Sequence, residues 1–89
     1  MTAPAAARVH TLKTWPEHFA AVLASIKTCE LRRDDRGFEV GDIVQLVEWE
    51  PGAGATSRAL TRQISHVLRD VPDLGLAPGF ALLSLRDAR

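Results

Sequence analysis

The chain of 89 residues lacks several features that would assign it directly to a class of protein. Its single cysteine, Cys29, cannot form an internal disulfide, which favours a reducing, cytoplasmic location. No stretch approaches the ~20 apolar residues that a membrane-spanning helix needs, so we expect no membrane partner. Eleven basic residues balance eleven acidic residues, and no overall field therefore draws the protein to nucleic acid. Any polyanion binding must come from a local patch.

The chain also lacks the residue spacing of a metal site. His10, His18 and His66 lie far apart without paired ligands, so we predict no metal and no cofactor, and we expect these histidines at the surface or at a rim. Nine of the eleven cations are arginine, which suits bidentate recognition of phosphate, carboxylate or a guanine edge. A GC-rich coding sequence would produce the same bias.

The length supports one domain with one modest core, because a chain of this size buries only about 60 to 65% of its unfolded surface. Residues 1–7 are small and mostly apolar without a charged start, which predicts a disordered N-terminal tail rather than a secretory signal. Residues 8–87 then form the single domain.

One amphipathic helix is predicted at residues 15–25. Thr14 and Glu17 have the spacing of a capping box, and Pro16 fits the first turn, where its missing N–H has no helical partner. An apolar stripe follows at helical spacing: Phe19, Val22, Leu23 and Ile26. We expect this stripe to pack on the rest of the domain.

The remaining elements read as strands. They are predicted at residues 8–12, 28–32, 43–49, 59–68 and 80–85, although 59–68 would also suit a helical face. The strand at 43–49 is apolar on nearly both faces, so Gln45 or Glu48 needs a partner if buried. Residues 50–55 are rich in glycine and proline, which predicts a mobile loop and a candidate flap. The order of strand, helix and four strands favours an α+β fold, a small β-barrel of about five strands with one main helix after the first strand.

Charged residues are concentrated where the helix gives way to the second strand. Because side chains alternate along a strand, Thr28, Glu30 and Arg32 share one face. Cys29 and Leu31 share the other face and are expected in the core. Lys27 joins the charged face from the junction. The pattern predicts a charged rim that could read a ligand with donors and acceptors. An exposed ion pair worth well under ~1 kcal/mol is the alternative.

Several motifs together resemble the ASCH group of PUA-like domains, and most of all its small uncharacterised branch from bacteria and phages. The ASCH signature is Gly-x-Lys-x-x-Glu-x-Arg, in which Lys27, Glu30 and Arg32 fall in register. Ser25 stands at the glycine, a residue that accepts a positive φ at a helix end. The resemblance covers residues 8–85 and includes His10-x-Leu12-Lys13-x-Trp15-Pro16, Lys27-Thr28-x-Glu30-x-Arg32, Asp35-Arg36, and Val40-Gly41-Asp42 leading to Glu48.

The resemblance implies a small PUA-like β-barrel that binds RNA or a nucleotide in a cleft beside the signature strand. The implied nucleic-acid-binding residues are Lys13, Trp15, Lys27, Glu30, Arg32 and Arg36. The cations would contact phosphate or a base edge, Glu30 would accept from an exocyclic amine, and Trp15 would stack on a base. Alternatively, Trp15 packs against the barrel, and Arg36 belongs to a solvated charged loop.

Two other functions stay open. Some ASCH relatives are amidohydrolases in which a lysine activates a threonine three residues later, and others have been reported as ribonucleases. Lys27 matches that lysine, but Glu30 occupies the threonine position. Thr28 is the direct neighbour of Lys27, and neighbours on a strand point to opposite faces. An enzyme would therefore use Lys27 and Glu30 as its acid and base. The third possibility is a protein-interaction module, such as a homodimer, formed through the sheet edge and residues 50–57.

Overall fold

The computed structural model describes residues 7–88, and the tail predicted at 1–7 lies, except for Ala7, outside the described residues. The elements are β1 (Val9–Thr14), α1 (Pro16–Leu23), β2 (Cys29–Arg33), β3 (Ile43–Glu50), β4 (Gly54–Leu68), a single 3-10 turn (Pro72–Leu74) and β5 (Phe80–Asp87). The predicted order of one strand, one helix and four strands is confirmed, including the assignment of residues 59–68 to a strand.

The strands form one curved sheet in the order β1-β3-β4-β5-β2. β1 runs parallel to β3, and every other neighbouring pair is antiparallel. The pairing shifts register between Val47 and Trp49 and again between Ile64 and His66, and such irregularities increase local twist and bending. β1 and β2 stand at the two ends of this order, so the fold is a half-barrel with a seam between them.

The core fills the concave side of this half-barrel. Phe19 and Val22 of α1 are buried there and pack over the inward side chains of the strands. The other buried hydrophobic residues of the core are Leu12, Phe38, Val44, Leu46, Leu60, Ile64, Ala81, Leu83 and Leu85. The alternating burial along β3 and β5 is the pattern of strands with one face inside and one face in solvent.

The helix is shorter than predicted and lacks the predicted cap. Trp15 occupies the cap position without a side-chain hydrogen bond, while Pro16 stands in the first turn as expected. Thr14 is instead the last residue of β1, paired in register with Glu48, so its side chain lies inside the half-barrel. The strand extends two residues further than expected, and this extension removes the hydroxyl from the helix terminus.

The helix also ends before its predicted apolar stripe is complete. The backbone N–H groups of Ile26 and Lys27 both donate to the Ala21 carbonyl at 3.0 Å, which closes the helix terminus. Ser25 adopts φ 60, the left-handed conformation that glycine holds most readily. Leu23 and Ile26 are consequently exposed, Ile26 to 80%, and the prediction that they pack in the core is wrong.

The predicted flap at residues 50–55 is a tight hairpin turn. Glu50 pairs in register with Gly54, and the Ala53 N–H donates to the Glu50 carbonyl at 3.0 Å. Near the same end, Glu48 is buried and its Oε1 accepts from the Thr56 hydroxyl at 2.5 Å. The predicted need of a buried Glu48 for a partner is thereby met, whereas Gln45 is exposed.

A buried carboxylate ties the loop between β2 and β3 to the start of β1. Asp42 Oδ2 lies 2.8 Å from His10 Nε2 and accepts from the Glu39 backbone N–H at 3.1 Å, while Oδ1 accepts from the Arg8 N–H at 3.2 Å. The expectation that His10 lies at the surface or a rim is wrong, because this partner lets the ring be buried. Burial by itself would raise the pKa of Asp42, but the hydrogen bonds and the Arg8 charge lower it below 3.8.

Replacing Asp42 by Asn should lower the free energy of unfolding by about 1 to 3 kcal/mol, since the charged acceptor of several hydrogen bonds is removed. A lowered folded pKa means that the wild-type advantage is complete above pH 3.8 and disappears as the pH falls through the folded value. Urea unfolding of wild type and Asp42→Asn from pH 3 to 7 measures this difference in stability. Asp73→Asn, in the exposed 3-10 turn, is the control. An equal pH dependence of both variants would contradict the prediction.

Candidate functional site

The signature strand alternates as predicted, but its faces are reversed. Glu30 is only 4% exposed and pairs in register with buried Leu83, so it points into the half-barrel. Cys29 and Leu31 lie on the exposed face, and the prediction that they are buried is wrong. The reason is electrostatic, because two cations at the strand compensate a carboxylate that burial alone would disfavour.

Each Glu30 oxygen has its own cation. Lys27 Nζ lies 2.5 Å from Oε1, and Arg32 Nε donates to Oε2 at 3.1 Å. Both cations keep about a quarter of their side chains exposed. The triad therefore extends from the buried carboxylate to the surface of the half-barrel. This arrangement differs from an exposed ion pair, because the acidic partner is buried.

Arginine side chains bridge the seam of the half-barrel. Arg32 Nη2 donates to the Lys13 carbonyl at 2.7 Å and approaches the Thr14 hydroxyl at 3.4 Å. Arg36 Nη1 donates to the Thr11 carbonyl at 3.0 Å. Edge strands leave backbone acceptors unpaired, and a guanidinium with five N–H groups can satisfy them. Arg32 therefore holds β2 against β1 while it also pairs with Glu30.

An open cleft of about 440 Å³ lies at the end of the seam. Three cationic residues and one carboxylate residue line it, so basic residues outnumber acidic ones here although the chain has zero net charge. The residues that line it are Lys13, Thr14, Trp15, His18, Lys27, Cys29, Glu30, Leu31, Arg32 and Leu82. The cleft thus has a local excess of basic residues, which the balanced composition of the whole chain does not show.

An aromatic surface forms one wall of this cleft. Trp15 is 54% exposed, and its ring stacks on His18 with the centroids 6.4 Å apart and an interplanar angle of 24°. About half of Trp15 therefore lies in solvent, so the ring is not fully packed against the barrel. Lys13 extends in another direction, with Nζ 4.0 Å above the Trp49 ring. The cleft therefore combines a ring face with charged groups.

The structure brings five of the six predicted site residues into this cleft and leaves Arg36 outside. Sequence reasoning missed Thr14 and His18. Both carry a detectable signal, since Thr14 has the inward parity of β1 and His18 lies one helical turn after Trp15. Thr28, in contrast, is exposed and does not line the cleft.

Thr28 and the Lys27–Glu30 pair together exclude one arrangement. Activation of Thr28 by Lys27 needs both side chains in the same cleft, whereas Thr28 lies outside it and the lysine is paired with Glu30. Within residues 7–88 no three His, Cys, Asp or Glu side chains come together as metal ligands would. No helix in that part of the chain is long and apolar enough to cross a membrane.

Comparison with known proteins identifies the family. Residues 9–85 match the family described as domain of unknown function DUF3850. The chain belongs to the DUF3850 family. This DUF3850 domain is also similar to the uncharacterized 12.9 kDa protein in the GpA 3′ region of Escherichia phage P2, with 37% identity over 61 residues. The aligned region covers 68% of this chain and 55% of the phage protein, so the chain spans about half the length of that relative.

The Glu30→Gln variant should lose about 1 to 3 kcal/mol of stability, because charge-assisted hydrogen bonds to Lys27 and Arg32 become weaker. Thermal and urea unfolding give the size of the loss. Glu50→Gln, at an exposed carboxylate at the end of β3, is the matched control and should change stability little. Equal stability of the two variants would show that the triad does not stabilise the strand.

Proposed function

We propose that this DUF3850 domain is an ASCH-type, PUA-like module that binds RNA or a nucleotide in the cleft beside Lys27, Glu30 and Arg32. The half-barrel with one helix after its first strand supports membership, as does the convergence of the three signature side chains. The left-handed conformation of Ser25 adds support, since the signature has glycine there.

The observation that carries the proposal is an accessible ring face beside a charge-paired carboxylate in one cleft. Trp15 offers a surface on which a base can stack, and such stacking is worth about 1 to 3 kcal/mol per base. Glu30 has further lone pairs that can accept from an exocyclic amine, and Lys27 Nζ has donors beyond the one used. These groups distinguish bases by their edges.

The balanced charge of the chain fits recognition of a base better than attraction to a backbone. A protein that binds duplex nucleic acid through many phosphate contacts needs an extended basic surface. Here the cleft is lined by only three cationic residues, and the chain as a whole has eleven residues of each sign. The proposed ligand is therefore a single-stranded segment or a nucleotide.

Lys27→Ala and Trp15→Ala should each weaken binding of single-stranded RNA by about tenfold, which corresponds to about 1.4 kcal/mol. Fluorescence anisotropy with single-stranded RNA, duplex RNA and DNA, at low and physiological salt, measures the affinity. Arg86→Ala, at an exposed arginine of β5 outside the cleft, is the control. Urea unfolding of each variant separates loss of binding from loss of fold.

Two results would contradict this proposal. Equal binding by wild type and both cleft variants would move the site elsewhere on the surface. Absence of binding to every nucleic acid at low salt would remove the function and favour a protein-interaction module instead.

A hydrolase acting on a modified nucleoside or RNA is the second candidate, and the pairing of Lys27 with Glu30 in the cleft favours it. A lysine and a glutamate 2.5 Å apart in a partly enclosed cleft can exchange a proton during a reaction. Incubation of acylated cytidine and of RNA with excess protein, followed by chromatography, tests this candidate. Turnover that disappears in Lys27→Ala and Glu30→Gln would support it, and unchanged substrates would exclude it.

A further inference from the structure

A second, smaller hollow opens on the seam next to the cleft. Its volume is about 120 Å³, and three of its side chains are arginines. The hollow, called the seam hollow below, is lined by Leu12, Arg32, Arg33, Asp35, Arg36 and Phe38. Arg32 lines the cleft as well, so one guanidinium lies between the two spaces.

The arginines of the seam hollow have donors to spare. Arg36 uses Nη1 for the Thr11 carbonyl, and its Nε lies 3.9 Å from Asp35 Oδ1, which leaves Nη2 for a ligand. Arg33 forms no ion pair with residues 7–88, and its guanidinium lies 5.6 Å from the centre of the Phe80 ring. The hollow is therefore lined by three arginines and a single carboxylate, a balance of charge that attracts an anion.

The loop that carries Arg36 is fixed near both of its ends. Asp34 accepts from Arg69 Nε at 2.7 Å and from Nη2 at 3.3 Å, and Arg69 also donates to the Phe38 carbonyl at 2.7 Å. The hydrogen bond with Asp34 raises the pKa of Arg69 above its ordinary value. Asp42 holds the other end against β1. Little ordering of this loop is then needed when a ligand binds.

We infer that the seam hollow binds a phosphate group of the ligand whose base occupies the cleft. This inference rests on the proposed function and makes it narrower, because the preferred ligand becomes a phosphorylated nucleotide rather than a free base or nucleoside. Planar guanidinium groups match phosphate oxygens in pairs, and Arg32 places the phosphate site directly beside the base site. Arg36 thus acts in binding from outside the cleft.

The first experiment probes the hollow without any base. Inorganic phosphate is titrated at constant ionic strength into 15N-labelled protein, and backbone amide shifts are followed by NMR. We expect saturable shifts at residues 32–37 in wild type, and about tenfold weaker binding in Arg36→Gln and in Arg33→Gln, as loss of a charge-assisted hydrogen bond predicts. The control is Arg86 of β5, whose Nε donates to Gln63 of β4 at 3.0 Å. Arg86→Gln should bind phosphate like wild type.

The second experiment connects the hollow to the cleft. Short single-stranded RNA is compared with the same sequence carrying uncharged methylphosphonate linkages, and mononucleotides are compared with their nucleosides. Wild type should prefer the charged member of each pair by about tenfold, and Arg36→Gln should lose most of that preference. A preference restricted to oligonucleotides would identify a strand as the ligand, whereas one seen also with mononucleotides would identify a nucleotide.

The outcomes separate the two proposals. Equal binding of charged and uncharged ligands by wild type, together with no phosphate shifts at residues 32–37, would overturn the seam hollow and leave base binding in the cleft intact. Phosphate shifts at 32–37 that vanish in both arginine variants, without binding of any nucleoside or RNA, would retain an anion site but overturn its link to a base. Thermal unfolding confirms that each variant is folded.

Discussion

The Glu30 carboxylate lies inside the half-barrel, and the site depends on how its charge is compensated. Lys27 and Arg32 reach the two carboxylate oxygens from either side of Glu30 along the chain. Arg32 then continues to the Lys13 carbonyl on β1. One buried charge therefore determines where two cations stand, where the cleft opens and how the seam is held. A neutral residue at this position would leave the arginine without its anchor.

The types of the elements and their order along the chain could be predicted from the sequence because they follow from local patterns. Alternation in β3 and β5, turn residues between strands and the Phe19 and Val22 spacing each specify one element. The end of the helix could not be predicted in this way. It depends on Ser25 adopting a left-handed conformation, which a residue other than glycine does only when the surrounding structure favours it.

The candidate site shows what a strand pattern does and does not determine. Period-two alternation placed Glu30 and Arg32 on one face correctly, but it could not say that this face is the inner one. Apolar residues usually decide the inside, and here a charge triad overrides Cys29 and Leu31. Burial of His10 has the same origin, since its partner Asp42 is 32 residues distant in sequence. Long-range pairing of polar groups is invisible to local periodicity.

The arginines at the seam also affect how easily the edge strand β1 can pair with strands of other molecules. A free β-strand edge is a template for strands of other molecules, and proteins commonly protect such edges with charge. On β1 the carbonyls of Thr11 and Lys13 are already occupied by Arg36 and Arg32. A strand from another molecule could pair with these carbonyls only by displacing the two guanidinium groups. The same side chains that complete the half-barrel therefore protect the β1 edge from pairing with strands of other molecules.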